Sequence, residues 1–376
     1  MTRRVILAGG GHAHLAVLAD WASKPLPDTK RWLVTSSRFT AYSGMVPGWL
    51  AGIYREDDLM IDLAPLAERA GAQLVVADVV GLDPARRTLS LSTGGGMVFD
   101  LLSLATGGEA DTSALAASGE RLLPVRPVGA CMERWSHLLE ARAMAPTITV
   151  VVVGGGAAGV ELVLGADVAL RNTFQSFQLS LVTPSGGFLS GHMERVRRLA
   201  QQELSARGIA VHFAQAVGVD NGLLLADGNF LPADCIIAAT GSRAPRWLAQ
   251  SGLACNGQGF VAVGADMRSV SHPGIFAAGD IIDRVDRSLE RSGVHAVKAG
   301  PVLAANLRAT LDGSQLQHYE PRDKTLYLLA LGDKRAIFSW GRFVGSGQWV
   351  WRIKDWIDCR FVGRHRDSHN TSVTTR

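Results

Sequence analysis

Two strand-plus-glycine units, VILAGGGHAHLAVL from Val5 and VVVVGGGAAGVELVL from Val150, place their first glycines, Gly9 and Gly154, 145 positions apart. Each unit is followed downstream by a second matching element. FDLLSLATGG from Phe99 and ADCIIAATGS from Ala233 carry Thr106-Gly107 and Thr240-Gly241, 134 positions apart. The repeat is therefore a pair of domains. Between its elements lie β-branched runs (Trp32 to Thr35, Leu74 to Val80, Leu179 to Thr183, Ala210 to Phe213) and helical faces (Leu15 to Trp21, Val196 to Arg207). Strands alternating with helices confine the chain to an α/β architecture with parallel sheets.

A short apolar strand, a tight glycine turn and a helix form a phosphate-binding unit. Gly9 permits the turn, Gly11 lets backbone approach a pyrophosphate, and the helix opening near His12 points free N–H groups and a positive dipole end at that charge. The third position is His14, where glycine or alanine normally lets helix and strand pack closely. His12 and His14 alone make an incomplete metal site, so no metal is expected. The second strand ends Thr35-Ser36-Ser37 without the acid that usually holds ribose hydroxyls, which leaves Ser36 and Ser37 as candidate ribose contacts. The second unit is nearer the ideal form, with Gly154, Gly156 and Gly159 in register and Glu161 one turn into its helix. Its second strand ends Thr183-Pro184-Ser185, again without an acid or an arginine, so preference between NADH and NADPH stays open. Further on, HPGIFAAGDII from His272 closes on Gly279-Asp280, an Asp placed to accept hydrogen bonds from a polyol. After Ser292-Gly293 a helical stretch containing Lys298 offers its amino end to developing charge.

Composition excludes other classes. Of the 376 residues 47% are apolar and 19% charged, which rules out wholesale disorder and predicts two or three domains. The 38 basic residues are answered by 34 acidic ones, which argues against a nucleic-acid binder. Cys131, Cys235, Cys255 and Cys359 form no paired motif, and a reducing, cytoplasmic compartment fits them best. The charged amino terminus and the glycines after Ala8 argue against a signal peptide, and no transmembrane helix is expected.

In this order, these residues resemble the two-dinucleotide-binding flavoprotein superfamily, the pyridine nucleotide-disulfide oxidoreductase fold with its glutathione-reductase-like pair of Rossmann-like domains. GGGHAHL, TAYSGMVPG from Thr40, and the ending RIKDWIDCRF resemble the branch of type II NADH dehydrogenases and sulfide:quinone reductases, including the oxidoreductases fused to selenide water dikinase. The resemblance implies FAD on the first glycine turn and NAD(P)H on the second. It implies a discontinuous FAD domain (1–110 and 258–325), an inserted nucleotide domain (111–257) and a carboxyl-terminal hairpin and helix (326–376). Cofactor contacts are then expected from Gly9, Gly11, His12, Ser36, Ser37, Tyr42, Gly44, Met45, Pro47, Val79, Thr106, Gly107, Gly154, Gly156, Gly159, Gly241, Gly279 and Asp280. Glu161 and Lys298 are the catalytic candidates.

Disulfide reductases carry a cysteine pair beside the flavin, and the segment Ala41 to Gly48 has none. The expected reaction passes hydride from NAD(P)H to flavin and electrons to a small-molecule acceptor, most plausibly a quinone. A sulfide reductase using Cys131 and Cys359, and a flavin-binding redox sensor or partner without catalysis, stand as alternatives. After Thr325, two apolar runs around Gly332-Asp333-Lys334 predict a hairpin. Trp349, Ile353, Trp356, Ile357 and Phe361 then share a predicted helical face, with basic residues elsewhere on the wheel. That pattern suits a membrane interface, here the inner membrane face, and equally a helix packed on its own core or on a second subunit of a homodimer.

Overall fold

The computed structural model describes residues 2–322 and 325–366. Two five-stranded parallel sheets organise it, and they have the same strand order. The first runs Ile275–Ala277, Leu101–Leu104, Arg3–Ala8, Thr29–Thr35, Ala72–Val76. The second runs Leu122–Pro124, Cys235–Ala238, Ile148–Val153, Phe177–Thr183, Ala210–Phe213. In each, the glycine strand is central and the strand leading to Thr-Gly lies beside it. Val5 to Ala8 and Val150 to Val153 are buried, as unbroken apolar runs must be where both sheet faces are covered; on the second sheet the face of Val151 and Val153 lies against Leu223 and Leu225 of an antiparallel three-stranded sheet.

The run expected as one strand from Leu74 to Val80 is two. The sheet strand stops at Val76, and Val79–Asp83 begins an antiparallel three-stranded meander, leaving Val79 partly buried at its start. The two crossings between the sheets are zipped by antiparallel pairing of Glu109–Ala110 with Ser242–Arg243. Helix His12–Ser23 packs on helix Gly293–Asp312. Glycine at 300 allows that approach, since a Cβ there would lie 2.9 Å from the Ala13 carbonyl oxygen.

The carboxyl-terminal element differs from expectation in two ways. The hairpin gains a third strand, so Leu326–Ala330, Ala336–Trp340 and Phe343–Gly347 form an antiparallel sheet. Helix Gln348–His365 splits the face expected from its sequence and buries two of its charges. Trp349, Ile353 and Trp356 are exposed, whereas Lys354 and Asp358 are buried and Phe361 turns inward against Tyr42. The charges go inside because each finds a partner there: the Lys354 ammonium donates to Asp358, one turn on, and to a backbone carbonyl.

Candidate functional site

Gly9 adopts a φ of +101°, and a Cβ added there would sit 2.3 Å from the Ala105 carbonyl oxygen; at Gly11 the same distance is 2.5 Å. The turn therefore presses against the residue preceding Thr106, which accounts for both glycines by steric fit alone. His14 does not breach this packing. Its ring is fully buried, with Nδ1 2.6 Å from the Gly9 carbonyl oxygen and Nε2 2.8 Å from Ser103 Oγ. A carbonyl only accepts, so Nδ1 carries the proton and Nε2 accepts from the serine. Burial lowers the His14 pKa to about 4 and keeps it neutral.

His12 opens the helix at the centre of an aromatic group. Its ring meets Tyr42 edge-on at 5.4 Å and Phe361 at 5.9 Å, while Tyr42 and Phe361 stack at 4.5 Å. Burial lowers its pKa to about 4 against the opposing pull of Asp280. His12 Nε2 and Thr106 Oγ1 are buried without a hydrogen-bond partner among the described residues. Helix Gly293–Asp312 begins at the same place, with a Cβ on Gly293 falling 3.4 Å from Ser43 Oγ and 3.9 Å from His12 Nδ1. Two helix amino termini, two orphaned polar groups and a glycine turn fit a large anionic cofactor such as FAD. Asp280 is ion-paired with Arg126, which reaches over from just after strand Leu122–Pro124 of the second sheet. The expected polyol acceptor thus already has a cation.

The second turn repeats the geometry. Gly154 has φ +133° and would meet the Ala239 carbonyl oxygen at 2.1 Å, and Gly159 would meet the Gly154 carbonyl oxygen at 1.8 Å. Nothing lies within 4 Å of a Cβ on Gly156, so that position faces open space. The helix that follows, Ala157–Thr173, packs against the loop of the first unit: a Cβ on Gly165 would lie 2.7 Å from the Pro47 carbonyl oxygen. Glu161 accepts from the Ala330 N–H at 2.7 Å, and burial raises its pKa to about 7 against the attraction of Lys354. Lys354 Nζ lies 2.6 Å from both the Gly44 carbonyl oxygen and Asp358 Oδ2. Burial and the Asp358 carboxylate push the Tyr42 phenol well above its ordinary range.

The structure thus brings His12, Tyr42, Gly44, Glu161 and Asp280 into one connected group, with Met45 buried and Pro47 behind it. Gly107, Gly241 and Gly279 all have positive φ at strand-end turns. Ser36 and Ser37 are exposed, and the Ser37 hydroxyl accepts from the Phe39 N–H in a local turn; the buried hydroxyl residue at this strand end is Thr35. Lys298 is exposed on its helix and does not join Glu161; Lys354 does. Sequence reading missed Lys354, Asp358, Arg126 and the threonines at 35 and 183. The i, i+4 spacing of Lys354 and Asp358 was the available signal for the first two. Burial raises the Cys131 thiol to about 11 and that of Cys235 to about 12, and Cys359, exposed beside Asp355, also rises to about 11.

Comparison with known proteins agrees with this geometry. The sequence pattern of the pyridine nucleotide-disulphide oxidoreductases matches residues 3–300. An NADH dehydrogenase-like protein of Mycobacterium tuberculosis is 28% identical over 242 residues, covering 60% of this chain and 60% of that protein. The ferredoxin–NAD(+) reductase component of the biphenyl dioxygenase system of Paraburkholderia xenovorans is 29% identical over 243 residues, covering 62% of this chain and 55% of its own. These matches span less than two thirds of either relative. The sulfide:quinone oxidoreductase of Aquifex aeolicus shares the fold, with a TM-score of 0.80 at 18% identity over 97% of this chain and 91% of that one.

Proposed function

Because this chain belongs to the pyridine nucleotide-disulphide oxidoreductase family, we propose that it is an FAD-dependent NAD(P)H dehydrogenase delivering electrons to a quinone at a membrane surface. FAD and NAD(P)H are the cofactors that membership implies. One observation carries the reading: the second glycine helix packs on the Tyr42 to Pro47 loop of the first unit, so both glycine turns lead to one place. The working division is an FAD domain of 1–110 and 258–325, a nucleotide domain of 111–257 and a carboxyl-terminal element from 326.

When bound, FAD supplies the acceptor for hydride and the donor to the quinone. The chain supplies position and charge. Gly9, Gly11 and the helix beginning at His12 would hold the pyrophosphate, His12 Nε2 and Thr106 Oγ1 would offer it polar contacts, and Asp280 and Arg126 would stand beside the polyol. Gly154, Gly156 and Gly159 would receive the nicotinamide nucleotide. Lys354 holds a fixed positive charge behind the loop, and Glu161, with a pKa of about 7, gains or loses a proton at its carboxylate near neutral pH.

Quinone as acceptor is supported by the exposed aromatic surface of the carboxyl-terminal element, where Trp340, Phe343, Trp349, Ile353 and Trp356 face outward. Among the described residues no helix is long and apolar enough to cross a membrane, so attachment would be by this face. The deciding experiment is anaerobic addition of NADH or NADPH to FAD-loaded protein, followed by a long-tailed quinone. Bleaching and then recovery of the flavin absorbance is expected. Absence of bleaching with both nucleotides rejects the dehydrogenase; bleaching without recovery rejects the quinone.

A further inference from the structure

The last element of the chain holds on to both halves of the molecule. Helix Gln348–His365 is fixed to the first half, where Lys354 donates to the Gly44 carbonyl oxygen and Asp355 accepts from the Tyr54 hydroxyl at 2.6 Å. Its Val350 and Trp351 pack with Ala330 and Ala336 of the small sheet that precedes it, so helix and sheet make one piece. The first turn of that sheet, Gly332 to Arg335, reaches the second half.

What this turn grips is the helix that begins at the second glycine turn, Ala157–Thr173, at three places about one helical turn apart. Glu161 accepts from the Ala330 N–H at 2.7 Å. Gly332, with φ +82°, lies so close that a Cβ on it would fall 2.5 Å from the Leu164 carbonyl oxygen. Asp167, buried, is tied to Asp333 through Arg207, whose guanidinium lies 3.4 Å from the first carboxylate and 3.0 Å from the second. Arg335 doubles that link, forking Glu203 at 2.8 and 2.7 Å and reaching Asp333 at 2.7 Å. With Arg171 on Asp167, three guanidinium groups balance three carboxylates. Arg207 is only 11% exposed, so water screens the centre of this network weakly. The Pro47 carbonyl oxygen of the first half meets the same helix at Gly165, which leaves the helix held between that loop and the turn.

Given hydride transfer from a nucleotide on the second glycine turn to a flavin on the first, we propose that the turn from Gly332 to Arg335 is a brace that sets the axial position of this helix, with Arg207 and Arg335 as positioning residues for the hydride step. Domains joined through a modest polar interface move relative to one another by default. The brace removes that freedom along the one helix whose first residues carry the glycine turn. Displacing a bound reactant by about 1 Å through a change far from the chemistry can cost about a hundredfold in rate. Electron transfer out of the flavin does not draw on this helix, so the brace acts on one half-reaction.

The test separates the half-reactions of the FAD-loaded protein by anaerobic stopped flow. In Arg335→Met, flavin reduction by saturating NADH or NADPH should slow about tenfold or more. Reoxidation of dithionite-reduced flavin by ferricyanide should stay within about twofold of wild type, with FAD content unchanged. Asp333→Asn, a change at a partly exposed turn residue, should show the same one-sided loss and decides the matter if the arginine variant does not fold. Amide hydrogen exchange should rise across residues 157–173 in these variants and not in the first sheet. Wild-type hydride transfer in both variants, or equal slowing of the two half-reactions, overturns the proposal and leaves the dehydrogenase reading intact. If neither nucleotide reduces wild-type flavin, the dehydrogenase reading itself falls and takes the hydride role of the brace with it.

Discussion

Lys354 holds the carbonyl oxygen of Gly44 at 2.6 Å across 310 positions of sequence. A buried ammonium on the last helix thereby fixes the backbone of a loop that follows the first sheet's second strand. Asp358 balances its charge at the same distance.

Removing one partner of this pair should cost more than removing both. Lys354→Met leaves the Asp358 carboxylate buried and unpaired, a loss of about 3–5 kcal/mol in comparable pairs. The double variant Lys354→Met/Asp358→Leu should recover most of that. Thermal unfolding of the three proteins at neutral pH checks it, and equal melting temperatures for single and double variants would contradict it.

His14→Gly restores the ideal third glycine of the first fingerprint and should nevertheless weaken the protein. The imidazole fills the space between helix and strand and bridges the Gly9 carbonyl oxygen to Ser103. Its loss leaves a cavity and an unpaired serine hydroxyl, with an expected cost of about 2–5 kcal/mol. FAD retention after gel filtration and urea unfolding are the measurements; a variant as stable as wild type would show that the histidine is an accident of packing.

Glu161 sets a pH dependence with a definite sign. The folded protein keeps its proton to about pH 7, whereas the unfolded chain releases it near the ordinary value of 4.5. The native state thus binds more protons over that window, so its contribution to stability is fully present below 4.5 and is lost as pH rises to 7. Glu161→Gln can still accept from the Ala330 N–H and should flatten that decline. Melting temperatures of both proteins from pH 4.5 to 8 test it: parallel curves would mean that the carboxyl titrates normally.

The carboxyl-terminal helix separates two roles that its sequence had merged, with Trp349, Ile353 and Trp356 exposed and Phe361 turned inward. Trp349→Ser/Ile353→Ser/Trp356→Ser should reduce sedimentation with anionic liposomes and slow long-tailed quinones, with flavin content unchanged. Phe361→Ser, stacked on Tyr42, should instead disturb the flavin spectrum while leaving liposome binding intact. If the triple variant sediments like wild type, the exposed face has another occupant, such as a second copy of this chain.

The glycine fingerprints were legible because each encodes a local steric demand that a short window of sequence contains. Gly9, Gly11, Gly154 and Gly159 stand against backbone atoms that a side chain would strike. Glu161 was legible by position, one turn past its glycines. Lys354 and Asp358 were not, because a charged residue within an aromatic-rich helix reads as surface unless the long-range partner, here Gly44, is known. Lys298, near the amino end of its helix, is exposed and makes no contact with Glu161 that would have tied it to the group. Ser36 and Ser37 lie just past the end of their strand and are exposed, whereas Thr35, its last residue, is buried.

Strand Ile275–Ala277, at the margin of the first sheet, carries a consequence for how the chain is made. During synthesis from the amino terminus, four of that sheet's strands emerge before residue 105, yet the partner of Leu101–Leu104 follows only after all five strands of the second sheet. The second sheet can close first, while the earlier one waits with an unpaired, leucine-rich flank. A nascent chain stalled just short of residue 275 should therefore yield a protease-resistant core from the later-made half, with the earlier half dependent on chaperones until its last strand arrives.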